Sequence, residues 1–120
     1  MMDAVMRLYF ALLVTTMFCV SLFVPAFSND AAPASRLYRR HCVSCHGKDG
    51  KAQTSKGKFS HARDLSDAAW QTDVSDERIF NSIMNGRNVR GNMPAFSDKL
   101  NEREINSLVT FVREFKGKQN

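Results

Sequence analysis

The sequence predicts a small all-α domain, and three observations carry that expectation. Ile105, Leu108, Val109, Val112 and Phe115 recur as one helical stripe, with Phe111 at its edge, behind Asn101 and Glu104, which have the spacing of a capping box. Ile79, Phe80, Ile83 and Met84 mark one face of a second helix between a capping Ser75 and a terminating Gly86. Nowhere in the 120 residues does a convincing period of two appear, so no sheet is expected.

In chain order, the first segment reads as targeting rather than fold. Arg7 precedes an uncharged run from Leu8 to Val24, and the small residues Ala26 and Ser28 offer a cleavage site before Asn29. The expectation is a signal peptide over 1–28 and one domain over 29–120, hence export to the periplasm. The alternative is an uncleaved anchor, because the run approaches the roughly 17 apolar residues at which spanning begins. A helix should start near Pro33, which suits a first turn, and run through Leu37 and Tyr38 to be ended by Gly47 and Gly50. A loop rich in Lys, Gly, Ser and Gln follows to about His61, and Asp64 to Trp70 reads as a short helical turn.

A domain of this size is short of core and recruits a disulfide, a metal or a cofactor. With Cys19 inside the leader, only Cys42 and Cys45 are left to supply it. The charge is also uneven. Residues 29–63 hold eight Lys or Arg against two acids, whereas residues 64–120 hold eight against nine, so the basic field surrounds the cysteines. Trp70 and the phenylalanines follow helical spacing, which assigns them to packing rather than to a nucleic-acid platform.

Cys42-Val43-Ser44-Cys45-His46 is the haem attachment pattern. Two thiols at this spacing reach the two vinyl groups of one porphyrin, and the following imidazole is presented to the iron. A redox dithiol would need a surrounding βαβ unit, which is not evident. Zinc would need Cys42, Cys45, His41 or His61 and a further ligand pair that is missing. The second axial ligand should come from downstream. Met93 stands in the aperiodic segment Arg90 to Phe96 beside Pro94, where a loop can close over the opposite face, whereas Met84 falls on a core-facing helical stripe. His41 and His61 are expected to be solvated.

Together these residues resemble the class I cytochrome c family, over the whole of 29–120 and most strongly at 42–46. The likeness includes Tyr38, the Asp64-Leu65 to Trp70 segment, Met93-Pro94 and the terminal helix. It implies crossed first and last helices, one covalent haem c held by Cys42 and Cys45, and iron ligated by His46 and Met93. It also implies packing around the haem by Tyr38, Leu65, Trp70, Phe96 and Phe111. Two departures stand out: Ala34 replaces a glycine usual at the helix crossing, and no proline follows the haem loop to supply the carbonyl that holds the histidine. Ala62 or Arg63 is expected to supply it.

The function so implied is one-electron transfer with both axial sites filled, not catalysis, with docking to acidic redox partners through the basic half. Two alternatives remain: a permanent subunit of a larger oxidoreductase, membrane-bound if the leader is retained, and a haem enzyme or gas sensor with an open iron site.

Overall fold

The computed structural model describes residues 3–7, 9, 32–89 and 91–118. The chain divides into two compact units, Met1–Asp30 and Ala31–Asn120. In the first, residues 3–7 and 9 are helical. The expected apolar leader run and its cleavage site lie almost wholly outside the described residues. Among the described residues, no helix is long and apolar enough to cross a membrane.

The second unit is built from six helices among the described residues: α1 (Ala34–His41), α2 (Val43–His46), α3 (Ser55–Phe59), α4 (Ala68–Asp73), α5 (Asp76–Asn85) and α6 (Glu102–Arg113). One isolated antiparallel bridge joins Arg87 to Met93, and the fold is all-α as expected. Each of the later helices begins on a side chain that satisfies amide groups left free by the first turn. Asp67 accepts from Ala69 and Trp70, and Ser75 from Arg78. At α6 the capping box is complete, with Asn101 accepting from the Glu104 amide while Glu104 accepts from the Asn101 amide.

The long first helix expected from Pro33 to the histidine is two helices. At Cys42 the backbone turns out of the run (φ −114°), and α2 restarts at Val43. A second difference lies in the polar segment after His46, where α3 forms over five residues with Thr54 as its cap. Its stripe is too short for periodicity to reveal. The short turn expected at Asp64–Trp70 begins later, as α4.

The core gathers where α1 and α5 lie against α6. Ile105 and Leu108 are fully enclosed, and Leu37, Tyr38, Ile79, Ile83, Val109, Val112 and Phe115 surround them. Each such side chain contributes roughly 1.5–3 kcal/mol by leaving water. Tyr38 meets Phe111 and Phe115 with ring centroids 5.1 Å apart in both cases, and the two phenylalanines meet edge-on at 5.5 Å. Tyr38 and Phe111 therefore make the α1/α6 contact aromatic.

Polar groups fasten the far end of α6. Gln71, 3% exposed, donates through Nε2 to the Leu65 and Val112 carbonyls, both at 2.8 Å. Arg113 donates to the Gln71 carbonyl (2.7 Å), the Gln71 Oε1 (2.9 Å) and the Val74 carbonyl (2.6 Å), and pairs with Asp76 at 2.7 Å. Gln71 and Arg113 thus close the backbone bonding between α4 and α5 against the last helix, as buried polar groups must be closed.

Candidate functional site

His46 ends α2, and its ring is aimed by the main chain. Nδ1 donates to the Arg63 carbonyl at 3.0 Å, since a carbonyl can only accept. Of the two expected carbonyls it is therefore Arg63, not Ala62, that holds the ring. This bond fixes the tautomer and leaves Nε2 with its lone pair free. Burial lowers the His46 pKa below the usual histidine value and outweighs the opposing pull of the Arg63 carbonyl, so the ring is neutral near pH 7 and fit to ligate a metal.

Cys42 stands at the break between α1 and α2 and Cys45 lies within α2; both are free and half-buried. Burial, with Cys45 adding to it, pushes the free Cys42 thiol up to about 12. That is opposite to the lowered pKa of a redox dithiol. Among the described residues no three His, Cys, Asp or Glu side chains gather as a metal-ion site.

The main chain on either side of His46 is braced by two side chains. Tyr38 donates its hydroxyl to the Gly47 carbonyl at 2.8 Å. Burial raises the phenol pKa above its ordinary value, with Cys42 and Asp49 adding to the effect, so the donor proton is retained. Thr54 donates to the Ser44 carbonyl (2.8 Å) and lies 3.1 Å from that of Cys45, while accepting from the Gly57 amide. Gly57 is required there because a Cβ would fall on the Cys45 carbonyl and within 2.8 Å of that of Ala52. The Thr54 and Gly57 roles were not foreseen from sequence; a Ser/Thr cap three residues ahead of a glycine was their only local trace.

Met93 lies on a loop closed by reciprocal bonds with Arg87, each 2.9 Å. Gly86, at φ +73°, lets this loop approach α5, since a Cβ would come within 2.6 Å of the Met93 carbonyl. Asn92 donates to the Ser60 carbonyl at 3.0 Å, which ties the loop following His46 to the loop bearing Met93. Met84 is half-buried against the core on α5, as its helical spacing implied.

The other expected pocket residues divide by burial. Tyr38, Leu65 and Phe96 are buried, whereas Trp70 and Phe111 are partly covered, with the Arg63 guanidinium 5.9 Å from the Trp70 ring centre. His41 departs from expectation: it is half-buried, with its ring edge-on to Phe96 at 5.8 Å. His61 is exposed as expected, at φ +51°. Two free sulfurs three residues apart, a neutral imidazole with Nε2 free, and the partly covered apolar set Val43, Trp70, Phe80, Met84, Met93 and Phe111 fit a flat apolar macrocycle attached through sulfur.

Comparison with known proteins agrees with this chemistry. Residues 29–112 match the family described as cytochrome c oxidase, cbb3-type, subunit III. The chain is 30% identical over 88 residues to the cbb3-type oxidase subunit FixP of Bradyrhizobium sp. (strain ORS 278), covering 73% of this chain but 28% of that protein. It therefore spans about a third or less of such subunits. It is 31% identical over 103 residues to cytochrome c6 of Gloeothece citriformis, covering 86% of this chain and 87% of that one. Among solved structures, the c-type cytochrome KustC0563 superposes with a TM-score of 0.65 at 41% identity, covering 71% of this chain and 99% of that chain. With the CxxCH turn, the carbonyl-held histidine and these matches in agreement, the chain belongs to the class I cytochrome c family and its cofactor is covalently bound haem c.

Proposed function

We propose that this chain is a one-electron carrier, with haem c joined through thioethers at Cys42 and Cys45 and its iron ligated by His46 and Met93. The observation that carries the reading is the His46 ring, neutral and oriented by the Arg63 carbonyl, directly after two unpaired thiols at attachment spacing. The bound haem supplies a ferrous/ferric couple, and one electron passes to or from a partner protein without a bond being made or broken.

The residues of the chain do the rest. Tyr38, Thr54 and Gly57 hold the main chain on either side of His46, so little has to reorganise when the charge at the centre changes. Asn92 and Ser60 keep the Met93 loop closed. Tyr38, Leu65, Trp70, Phe96 and Phe111 form the apolar wall that keeps water from the centre. A thioether ligand and an apolar wall both favour the ferrous form and raise the potential. On this reading the chain is not an enzyme, residues 1–28 are a signal peptide, and the folded domain works in the periplasm against acidic redox partners.

A pyridine haemochrome assay with ferric and ferrous absorption spectra tests the assignment. A c-type haemochrome and the weak near-red band of methionine-ligated ferric haem are expected. Haem without that band, with rapid carbon monoxide binding, would shift the reading to an open-site enzyme or sensor.

The family match to an oxidase subunit favours a second reading, in which the domain belongs permanently to a larger complex. Sequencing the N-terminus of the purified protein separates the two: Asn29 supports the free carrier, and a retained leader supports the anchored subunit.

A further inference from the structure

We propose that Phe59 and Val89, framed by Lys56, Lys58 and Arg87, form the contact face for a protein redox partner with carboxylates around an apolar centre. The inference rests on the electron-carrier reading and names the surface that it uses.

Phe59 is 89% exposed and Val89 74%, and they are the large apolar side chains that the described part of Ala31–Asn120 leaves open. They are thirty positions apart in sequence, yet their segments are joined. Asn92 donates to the Ser60 carbonyl, and a Cβ at Gly91 would come within 2.9 Å of the His61 carbonyl, so the two loops run in close contact. Phe59 stands at the end of α3, one residue before Ser60. Val89 lies within the loop that the Arg87–Met93 bridge closes.

The charge follows the same boundaries. Residues 50–63 contain Lys51, Lys56, Lys58 and Arg63 and no acid, and residues 86–97 contain Arg87 and Arg90 and no acid. Along the sequence the second segment belongs to the half whose charges balance; in the fold it is tied to the basic loop. Among the described residues, Lys56, Lys58, Arg63 and Arg87 form no ion pair with a carboxylate, so their fields are open to a partner.

A single exposed apolar residue is ordinary, but two within joined, acid-free segments describe the centre and rim of a transient interface. The basic rim steers an acidic partner during approach, and the apolar centre holds it once water is expelled. Val89 shares its loop with Met93, so a partner seated here lies beside the chain segment proposed to reach the iron. A lipid surface would not use that proximity, which is why a protein is the occupant chosen.

The test uses the haem-loaded protein in its ferrous form, oxidised in stopped flow by an acidic single-copper electron-transfer protein and, separately, by ferricyanide. The double variant Phe59→Ser/Val89→Ser should lower the second-order rate with the copper protein by about fivefold or more, as truncation of interface anchors does. Its rate with ferricyanide should stay unchanged. Lys56→Glu/Lys58→Glu should slow the copper protein at low salt, with the deficit closing as the Debye length shrinks to about 3 Å near 1 M salt.

Unchanged rates with the copper protein in both variants, beside normal ferricyanide oxidation, would overturn the interface alone. So would a wild-type protein that binds anionic phosphatidylglycerol vesicles through these residues while the copper-protein rate ignores them. Failure of the wild type to be oxidised by ferricyanide at all would sink the carrier reading itself.

Discussion

Replacing Tyr38 by phenylalanine isolates one hydrogen bond in the brace behind the haem-binding turn. The ring would keep its place between Phe111 and Phe115, both 5.1 Å away, and only the hydroxyl 2.8 Å from the Gly47 carbonyl is lost. Tyr38 is 3% exposed and Gly47 is also buried, so water does not readily replace the donor. Leaving such an acceptor unsatisfied costs about 1–3 kcal/mol. For a domain of this size that is about 4–8 °C in Tm per kcal/mol.

The same hydroxyl makes the difference depend on pH. Burial raises the folded-state pKa above the ordinary value of about 10, with Asp49 adding to it, as does Cys42 while its thiol is free. A group whose folded pKa is raised contributes stability that is complete below the unfolded value and is lost as pH rises towards the folded one. Thermal melts of haem-loaded wild type and Tyr38→Phe, compared pairwise from pH 7 to 11, should show a constant gap up to about pH 10 that then narrows. Taking the difference cancels the lysines, which titrate in both proteins. A gap near zero at pH 7, or one that stays flat to pH 11, would refute the reasoning.

Other perturbations separate the remaining parts of the site. Met93→Ala should keep covalent haem but lose the near-red ferric band, lower the reduction potential and admit carbon monoxide, whereas Met84→Leu on α5 should leave the spectrum intact; visible spectra and redox titration read both. Gly57→Ala drives a Cβ into the Cys45 carbonyl, and the backbone shift this forces should cost about 1–3 kcal/mol in denaturant unfolding. Arg113→Met strips donors from the Gln71 and Val74 carbonyls and should destabilise by about 1–3 kcal/mol per acceptor left buried. Asp76→Asn, whose side chain is 71% exposed, should change stability by less than about 1 kcal/mol in the same assay, because water screens that pair.

What could be read from sequence was whatever repeats or caps locally. The α5 and α6 stripes, Ser75, and the Asn101/Glu104 box are short-range patterns, and all lie where their spacing put them. Residues 42–46 were legible because attachment chemistry dictates their spacing. Features that depend on distant partners were not. The α3 turn wedged under Cys45 by Thr54 and Gly57, and the Gln71–Arg113 closure forty-two positions apart, arise from tertiary bonds with no local period, and the break at Cys42 leaves no local signal either. His41 was misjudged for the same reason: the ring it meets, Phe96, is fifty-five residues away in sequence. Nor does the sequence show that the 86–97 loop lies against the basic segment, since one amide, that of Asn92, makes the bond.

The carbonyl that steadies His46 is the same chemical group in every amino acid, so the grip on the ring is indifferent to which residue stands at position 63. The same position also carries a guanidinium, and that cation lies over Trp70. One residue therefore does two separable jobs, one through its backbone and one through its side chain. Position 63 can vary to adjust the charge beside the tryptophan while the aim of the imidazole is inherited unchanged.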